Sequence, residues 1–189
     1  MKVESTKLDG VLILNPHVFN DERGFFYESY SKRKFLENGL DYNFIQDNQS
    51  YNKYKHTFRG FHYQMNPKSQ TTLVRVVSGE IIDYVIDIRK KSPTYGQYVS
   101  QILSSDNHKQ MLIPKGFAHG YLTLTDNVTI LYKMDELYSP NHDRILNFMD
   151  STINIKLNID KSELIIADKD NSAPMLAQID NNFLYEEMI

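Results

Sequence analysis

Short hydrophobic runs alternate with polar positions along most of the chain, and turn-forming residues separate one run from the next. Runs of this length that are rich in Val, Ile, Tyr and Thr predict β-strands. The predicted strands are Val11–Leu14, Thr71–Val77, Ile81–Ile88, Tyr98–Leu103, Met111–Ile113, His119–Leu124 and Val128–Met134. Evenly spaced strands with few helices predict an all-β fold, an antiparallel sandwich or jelly-roll barrel whose interior can hold a ligand.

The segment LVRVVSGEIIDYVIDIR has the clearest strand pattern. Ser78-Gly79 separates two β-rich runs, as a tight hairpin turn would. The second run alternates, which predicts two faces with different surroundings. One face is predicted to belong to the core, and the other to be wet or functional. The first contains Ile82, Tyr84, Ile86 and Ile88, and the second contains Asp83, Val85, Asp87 and Arg89.

One helix is predicted before the C-terminal region, in the segment SKRKFLENG. Ser31 is its expected N-cap and Gly39 its expected C′ residue. After about Ile155 the strand pattern loosens, so this part is expected to cover the barrel or to close its mouth. The sequence has no internal repeat, linker or low-complexity segment, which predicts a single domain over residues 1–189.

Composition and charge exclude several classes of function. Hydrophobic residues make up 41% and charged residues 24%, a balance typical of soluble globular proteins. No apolar run is long enough to span a bilayer, and the start MKVESTKLDG lacks a signal-peptide pattern, which predicts a cytoplasmic protein without a membrane partner. The absence of cysteine excludes disulfides, thiolate metal sites and cysteine nucleophiles. A net charge of −3 indicates no nucleic-acid partner.

Five segments place polar groups densely among aromatic residues and glycines: DERGFFYESY, QDNQS, RGFHYQ, PKGFAHGY and LYKMDELYSP. With DIRKKSPTYGQ and the late ADKDNSAP, they resemble in order and spacing the dTDP-4-dehydrorhamnose 3,5-epimerase family, from about Val11 to about Pro174. These are cupin-type jelly-roll enzymes. The resemblance implies a cofactor-independent epimerase that inverts C3 and C5 of dTDP-4-dehydro-6-deoxyglucose, in the biosynthesis of rhamnose and surface polysaccharides.

Three residues are predicted to be catalytic. His62 in RGFHYQ is the best candidate for the base, because an imidazole can accept a proton at neutral pH, and the resemblance implies the same role. The resemblance implies that Asp170 fixes the tautomer of this histidine, with Asp168 as a rival in register. Tyr132 matches the general acid of the family, since a phenol keeps its proton at neutral pH.

The resemblance also implies a set of substrate-binding residues. Fixed cations complement the charge of a diphosphate, and Arg23, Arg59 and Lys169 match the family positions of this kind. The other matching positions are Glu28, Gln46, Asp47, Asn48, His119 and Asp143, with Phe19 and Tyr138 as aromatic neighbours of the nucleotide base. Ideal strand alternation sends Arg59 and His62 to opposite faces, although a bulge at Gly60 could re-aim one of them.

Thr72 is the one departure from the family pattern. The family has a lysine just before the LVR run, where its ammonium helps to stabilise the enolate oxygen at C4, whereas QTTLVR has Thr72 there. A hydroxyl donates a hydrogen bond but brings no charge, and losing such a donor can cost about 3–4 kcal/mol of barrier. Thr72 is therefore predicted to be a substrate-binding residue. Its weaker stabilisation of the enolate leaves open the alternative of an epimerase that acts at a single centre.

Two alternatives belong to other classes of function. A protein that binds a nucleotide sugar without turnover would keep the cations and lose the catalysis. A metal-dependent cupin oxygenase would need several histidines, but the chain has H-Y-Q where H-x-H is expected, and its six histidines are scattered singly, so no metal is predicted. No G-x-G-x-x-G or P-loop occurs, so no cofactor is predicted. Family members pair through exchanged N-terminal strands, and the apolar run VLIL predicts a homodimer.

Overall fold

A computed structural model describes residues 1–185 of the chain, and strands dominate it. The last part of the predicted domain and C-terminal cover, residues 186–189, lies outside the described residues. The strands are β1 (Lys2–Ser5), β2 (Leu12–Asn15), β3 (Phe19–Asp21), β4 (Gly24–Phe26), β5 (Gln46–Asn52), β6 (Thr57–Gln64), β7 (Thr72–Ser78), β8 (Glu80–Asp87), β9 (Tyr98–Ser104), β10 (Gln110–Ile113), β11 (Phe117–Thr123), β12 (Val128–Met134), β13 (Asp143–Ile145) and β14 (Ile165–Ile166). The helices are α1 (Lys32–Glu37), α2 (Asp168–Asn171) and the 3₁₀ turns Lys161–Glu163 and Leu176–Gln178. None of the helices within residues 1–185 is long and apolar enough to cross a membrane.

Two antiparallel sheets form the body of the protein. The first has the order β1-β2-β10-β7-β12-β5, and the second has the order β13-β6-β11-β8-β9, with β14 parallel to β6. β3 and β4 form a separate two-stranded ribbon. Apolar side chains from both sheets, among them Val74 and Val85, pack in one cluster between them. The predicted all-β antiparallel fold is confirmed.

The predicted hairpin at Ser78-Gly79 is wrong. β7 pairs with β10 and β12 in the first sheet, whereas β8 pairs with β11 and β9 in the second. The turn therefore passes from one sheet to the other. Each strand finds its hydrogen-bond partners elsewhere in the chain, so that Val76 before the turn and Ile81 after it both belong to the cluster between the sheets.

The alternation predicted for β8 is confirmed, but both of its faces are buried. Tyr84 and Ile86 lie in a cluster on the outer face of the second sheet, and Val85 lies in the cluster between the sheets. Asp83 and Asp87 are fully buried, so this face is not wet. The outer cluster includes Leu146, Phe148, Ile153, Leu176 and Phe183 from the chain after β13, so the C-terminal part covers the barrel as predicted.

Helix α1 begins and ends where its capping residues predict. The Ser31 hydroxyl accepts a hydrogen bond from the Lys34 backbone N–H, and Gly39, just after the helix, has a φ of +75° that favours glycine. Phe35 is the buried residue of the helix and packs with Leu14 and Leu112 of the first sheet. The helix therefore covers the outer face of this sheet.

Candidate active site

A cavity of about 440 Å³ opens between the two sheets, and its walls come from both of them. Its wall combines titratable, amide and hydroxyl side chains with a few apolar ones. Nine residues singled out from the sequence line it: Asn48, Arg59, His62, Thr72, His119, Tyr132, Tyr138, Asp143 and Lys169. His62 belongs to the second sheet and Tyr132 to the first, so the cavity places an imidazole and a phenol on opposite walls.

A bulge at Gly60 brings Arg59 and His62 to the same cavity. In the pairing of β6 with β11, His62 lies opposite His119 and Arg59 lies opposite Tyr121, so β6 has one extra residue. Gly60 has a φ of +134°, and a Cβ atom there would lie 2.6 Å from the Cα atom of Gly120. Glycine is thus required for the close approach of the two strands, and the resulting bulge re-aims one side chain.

A buried carboxylate lies behind the imidazole of His62. Nε2 of His62 is 3.2 Å from Oδ1 of Asp170, whose Oδ2 accepts a hydrogen bond from the Gly60 N–H at 3.3 Å. Burial alone would raise the pKa of Asp170, but the contacts with His62 and Gly60 outweigh it and lower the pKa below its usual value. The carboxylate is therefore ionised at neutral pH. The rival Asp168 is exposed, at the start of α2.

The other ring nitrogen of His62 is available for chemistry. Nδ1 lies 3.9 Å from Oδ1 of Asp143, which is longer than a hydrogen bond. With Nε2 facing the ionised Asp170, the imidazole tautomer that holds its hydrogen on Nε2 is favoured. Nδ1 then has a free lone pair and can accept a proton.

Tyr132 is a half-buried phenol that keeps its proton. Burial raises its pKa well above the ordinary value, the nearby Tyr121 adds to this effect, and a hydrogen bond with Ser50 opposes it. The Tyr132 hydroxyl lies 3.1 Å from Oγ of Ser50. Such a phenol can donate a proton to a carbanion, which is the stronger base.

The predicted binding residue His119 pairs with a carboxylate, Asp83, that the sequence did not single out as a site residue. Nε2 of His119 lies 2.5 Å from Oδ1 of Asp83, which is fully buried. Burial raises the pKa of Asp83, and the contact with His119 opposes that rise. The available signal was an aspartate flanked by apolar residues near the middle of β8. Ser50 and Tyr121, which also line the cavity, were missed as well.

Charged and aromatic groups at the cavity wall suit an anionic ligand with a planar ring. Arg59 and Lys169 provide two cations, and Nε of Arg59 donates a hydrogen bond to Oδ1 of Asn52 at 2.9 Å. The ring of Tyr138 is exposed, and its hydroxyl donates to Oδ2 of Asp143 at 3.4 Å. Guanidinium and ammonium groups complement phosphate oxygens, and an exposed phenol ring can stack on a base.

Two of the remaining predicted residues lie on β5, next to the cavity. Gln46 accepts a hydrogen bond from the backbone N–H of Tyr138 at 3.1 Å, so it holds the segment that presents this tyrosine. Asp47 pairs with Lys133 at 2.9 Å and faces away from Asn48, because successive strand residues point to opposite faces.

Phe19, Arg23 and Glu28 lie in and after the β3–β4 ribbon and do not line the cavity of their own chain. Arg23 pairs with Asp21 at 2.6 Å, and Glu28 pairs with Lys34. Because Arg23 is one of these three residues, the cavity of a single chain lacks one of its three predicted cations.

Thr72 lies in the cavity wall, with only 8% of its surface exposed. The nearest lysine in sequence, Lys68, pairs with Glu136 at 3.3 Å, and Lys115 pairs with Asp135 at 3.5 Å. Thr72 lies opposite Ile113 in the pairing of β7 with β10, so the register of the sheet fixes its place in the cavity wall.

Among residues 1–185, no three His, Asp or Glu side chains are grouped as metal ligands.

Comparison with known proteins gives a consistent result. The family model described as dTDP-4-dehydrorhamnose 3,5-epimerase matches residues 5–178. The enzyme of that name from Salmonella typhimurium is 44% identical over 179 residues, which are 94% of this chain and 97% of the relative. The crystal structure of the Bacillus anthracis enzyme with TDP and PPi bound has a TM-score of 0.89, at 44% identity over 92% of this chain and 98% of that one. A dTDP-6-deoxy-D-glucose-3,5-epimerase from Legionella pneumophila, in complex with dTDP-4-keto-L-rhamnose, has a TM-score of 0.89, at 38% identity over 95% and 94% of the two chains.

Proposed function

Because this chain belongs to the dTDP-4-dehydrorhamnose 3,5-epimerase family, we propose that it inverts C3 and C5 of dTDP-4-dehydro-6-deoxyglucose to give dTDP-4-dehydrorhamnose. It acts as a single jelly-roll epimerase domain in nucleotide-sugar biosynthesis for polysaccharides. The observation that carries this proposal is the cavity with a carboxylate-backed imidazole on one wall and a half-buried phenol of raised pKa on the other. The chain has no cysteine and needs no oxidising compartment to fold, which supports a cytoplasmic location.

The ketone at C4 of the substrate makes the C3 and C5 hydrogens acidic. Nδ1 of His62 takes the proton, the C–H bond breaks, and its electron pair moves onto the C4 oxygen as an enolate. Tyr132 then gives its phenolic proton to the opposite face of the same carbon, which inverts the configuration. His62 afterwards loses its proton to solvent, and Tyr132 regains one. No electrons are gained or lost, so the residues of the chain suffice without a cofactor.

Binding relies on groups around this catalytic pair. We propose that Arg59 and Lys169 bind the diphosphate, since both are cations at the cavity wall. Tyr138 offers its exposed ring to the nucleotide base. Three other residues of the same cavity are proposed to bind the sugar and the groups next to it: Asn48, His119 and Asp143.

Incubation with dTDP-4-dehydro-6-deoxyglucose in D2O tests the proposed function. We expect deuterium at both C3 and C5, followed carbon by carbon by NMR, together with product of inverted configuration. Tight binding of the nucleotide sugar without any deuterium uptake would contradict the proposal and would favour the alternative of a binding protein without turnover.

Thr72 favours a second candidate, an epimerase acting at a single centre. The cavity wall has a hydroxyl where the family pattern has an ammonium, and the nearby Lys68 and Lys115 pair with other carboxylates. An enolate that is stabilised less well forms more slowly, so the harder of the two proton removals could be lost. Deuterium uptake at C3 alone would support this candidate.

Thr72→Lys is expected to raise turnover by up to about a hundredfold, or to extend exchange from one carbon to both, because it restores a cation beside the enolate oxygen. Thr72→Val is the matched control: it keeps the side-chain volume, removes the hydroxyl and should lower turnover. Initial rates of deuterium uptake at each carbon provide the measurement. Fast exchange at both carbons in the wild type, without any gain in Thr72→Lys, would show that the cation is compensated and would exclude the single-centre candidate.

We propose that the enzyme is a homodimer in which the ribbon of one chain completes the cavity of the other. The ribbon leaves three phenylalanines exposed, Phe19, Phe25 and Phe26, at 56%, 58% and 68% of their surface. Several large apolar side chains left exposed on one short ribbon are typical of a surface that a partner covers. Arg23 lies in the same ribbon, 85% exposed and outside the cavity of its own chain.

Light scattering at micromolar concentration is expected to give the mass of a dimer, and mixed variants test the sharing of the cavity. Arg23→Ala and His62→Asn should each be impaired alone. Co-expressed, they should recover about a quarter of wild-type activity, since half of the dimers then contain one complete cavity. A monomeric mass, or no recovery on co-expression, would count against the shared site.

A further inference from the structure

A chain of hydrogen bonds crosses the interior from Tyr132 to Arg59. The Tyr132 hydroxyl lies 3.1 Å from Oγ of Ser50, which lies 3.2 Å from the Tyr121 hydroxyl. Tyr121 donates to Oδ1 of Asn52 at 3.3 Å, and Nε of Arg59 donates to the same oxygen at 2.9 Å. The chain therefore links the phenol on the first sheet to residues of the second sheet.

The chemistry of the groups determines where most of the hydrogens lie. The amide oxygen of Asn52 can only accept, and its amide nitrogen donates to the Val128 carbonyl at 3.5 Å, which sets the orientation of the amide. Arg59 is always a donor. The hydroxyl hydrogen of Tyr121 therefore points to Asn52, and the Tyr121 oxygen is left to accept from Ser50.

Ser50 has one hydroxyl hydrogen and two neighbours that can accept it. While Tyr132 is a neutral phenol, it can donate to Ser50, and Ser50 donates to Tyr121. After Tyr132 has given its proton to the substrate, its phenolate is the stronger acceptor, because hydrogen bonds to ionised oxygens are stronger. The Ser50 hydrogen can then turn toward Tyr132 by rotation about the Cβ–Oγ bond, without movement of any heavy atom.

We propose, on the basis of the function proposed above, that Ser50 is a positioning residue for Tyr132, whose hydroxyl holds the phenol in place and stabilises the phenolate formed by proton transfer. The direction of the pKa effects agrees: burial raises the pKa of Tyr132, whereas the bond with Ser50 lowers it. Without that bond, Tyr132 becomes a weaker acid.

Measuring solvent exchange and inversion separately distinguishes proton removal by His62 from proton donation by Tyr132. A proton taken by His62 can be replaced by deuterium from solvent and returned to the same face, which labels the sugar without inverting it. Inversion requires the proton of Tyr132. Ser50→Ala should therefore lower inversion by about 10- to 100-fold, while exchange in the original configuration continues. The ratio of exchange to inversion should rise by a similar factor, with KM within a few-fold of the wild type.

Two further variants control for packing. Ser50→Thr keeps the hydroxyl and should keep the ratio close to that of the wild type. Ser100→Ala removes an exposed hydroxyl on β9 and should change neither rate. Tyr132→Phe gives the upper limit of the ratio, because it has no phenolic proton.

The outcomes distinguish this inference from the proposed function. If Ser50→Ala slowed exchange and inversion equally, or if Ser50→Thr failed to restore the ratio, Ser50 would have only a structural role and the inference would be wrong. If the wild type showed no exchange at either carbon, the proposed function itself would fail, and the role of Ser50 with it.

Discussion

Replacing His62 with Asn is expected to abolish exchange of the C3 and C5 hydrogens, with turnover lower by at least about 10²–10⁴-fold. Asparagine is polar and close in size, but it has no nitrogen that can accept a proton. Affinity for the nucleotide sugar should stay within a few-fold, because the cations proposed for the diphosphate, Arg59 and Lys169, are unchanged.

Deuterium uptake by NMR and binding by calorimetry measure these two effects separately. His56→Asn is the matched control: His56 pairs with Glu163 at 3.2 Å, outside the cavity, and its φ of +62° is one that asparagine readily adopts. This control should behave like the wild type. Near-normal exchange in His62→Asn would mean that another base is used, and His119, on the neighbouring strand, would be the next candidate.

Asp170→Asn is expected to lower turnover by about 10²–10⁴-fold while leaving the size of the side chain almost unchanged. The amide introduced by this substitution can donate to Nε2 of His62, which would move the ring hydrogen to Nδ1, the atom that must accept the substrate proton. The neutral amide would also stop stabilising the imidazolium that forms during the reaction.

Asp168→Asn is the matched control, because Asp168 was the rival in register and is exposed. It should retain wild-type exchange rates. A loss of exchange in Asp168→Asn, with normal exchange in Asp170→Asn, would reverse the assignment.

The pH dependence of stability gives an independent check on Asp170. Its pKa is lowered in the folded protein by its contacts with His62 and Gly60, against the effect of burial. An ionised group of this kind stabilises the fold at pH values above its unfolded pKa of about 3.9, and loses this contribution as the pH falls through its folded pKa. The difference in unfolding free energy between wild type and Asp170→Asn should therefore shrink as the pH falls below about 4. Denaturant unfolding at several pH values would measure it.

Local signals in the sequence determined the all-β class, the positions of the main strands, and α1 with its caps. Strand alternation and helix capping depend on residues a few positions apart, so they can be read without knowledge of distant neighbours. The motifs, through their resemblance to the epimerase family, also singled out nine of the residues that line the cavity, among them His62 and Tyr132.

Only the tertiary structure decided which segments meet. The strands on either side of Ser78-Gly79 form ladders in different sheets, because pairing depends on partners far away in sequence. The Gly60 bulge depends on the close approach of Gly120 on another strand. Asp170 rather than Asp168 lies against His62 because the C-terminal segment packs on the outer face of the second sheet. The hydroxyl of Ser50 lies between Tyr121 and Tyr132 only because the two sheets face each other, and no spacing along the chain encodes that distance.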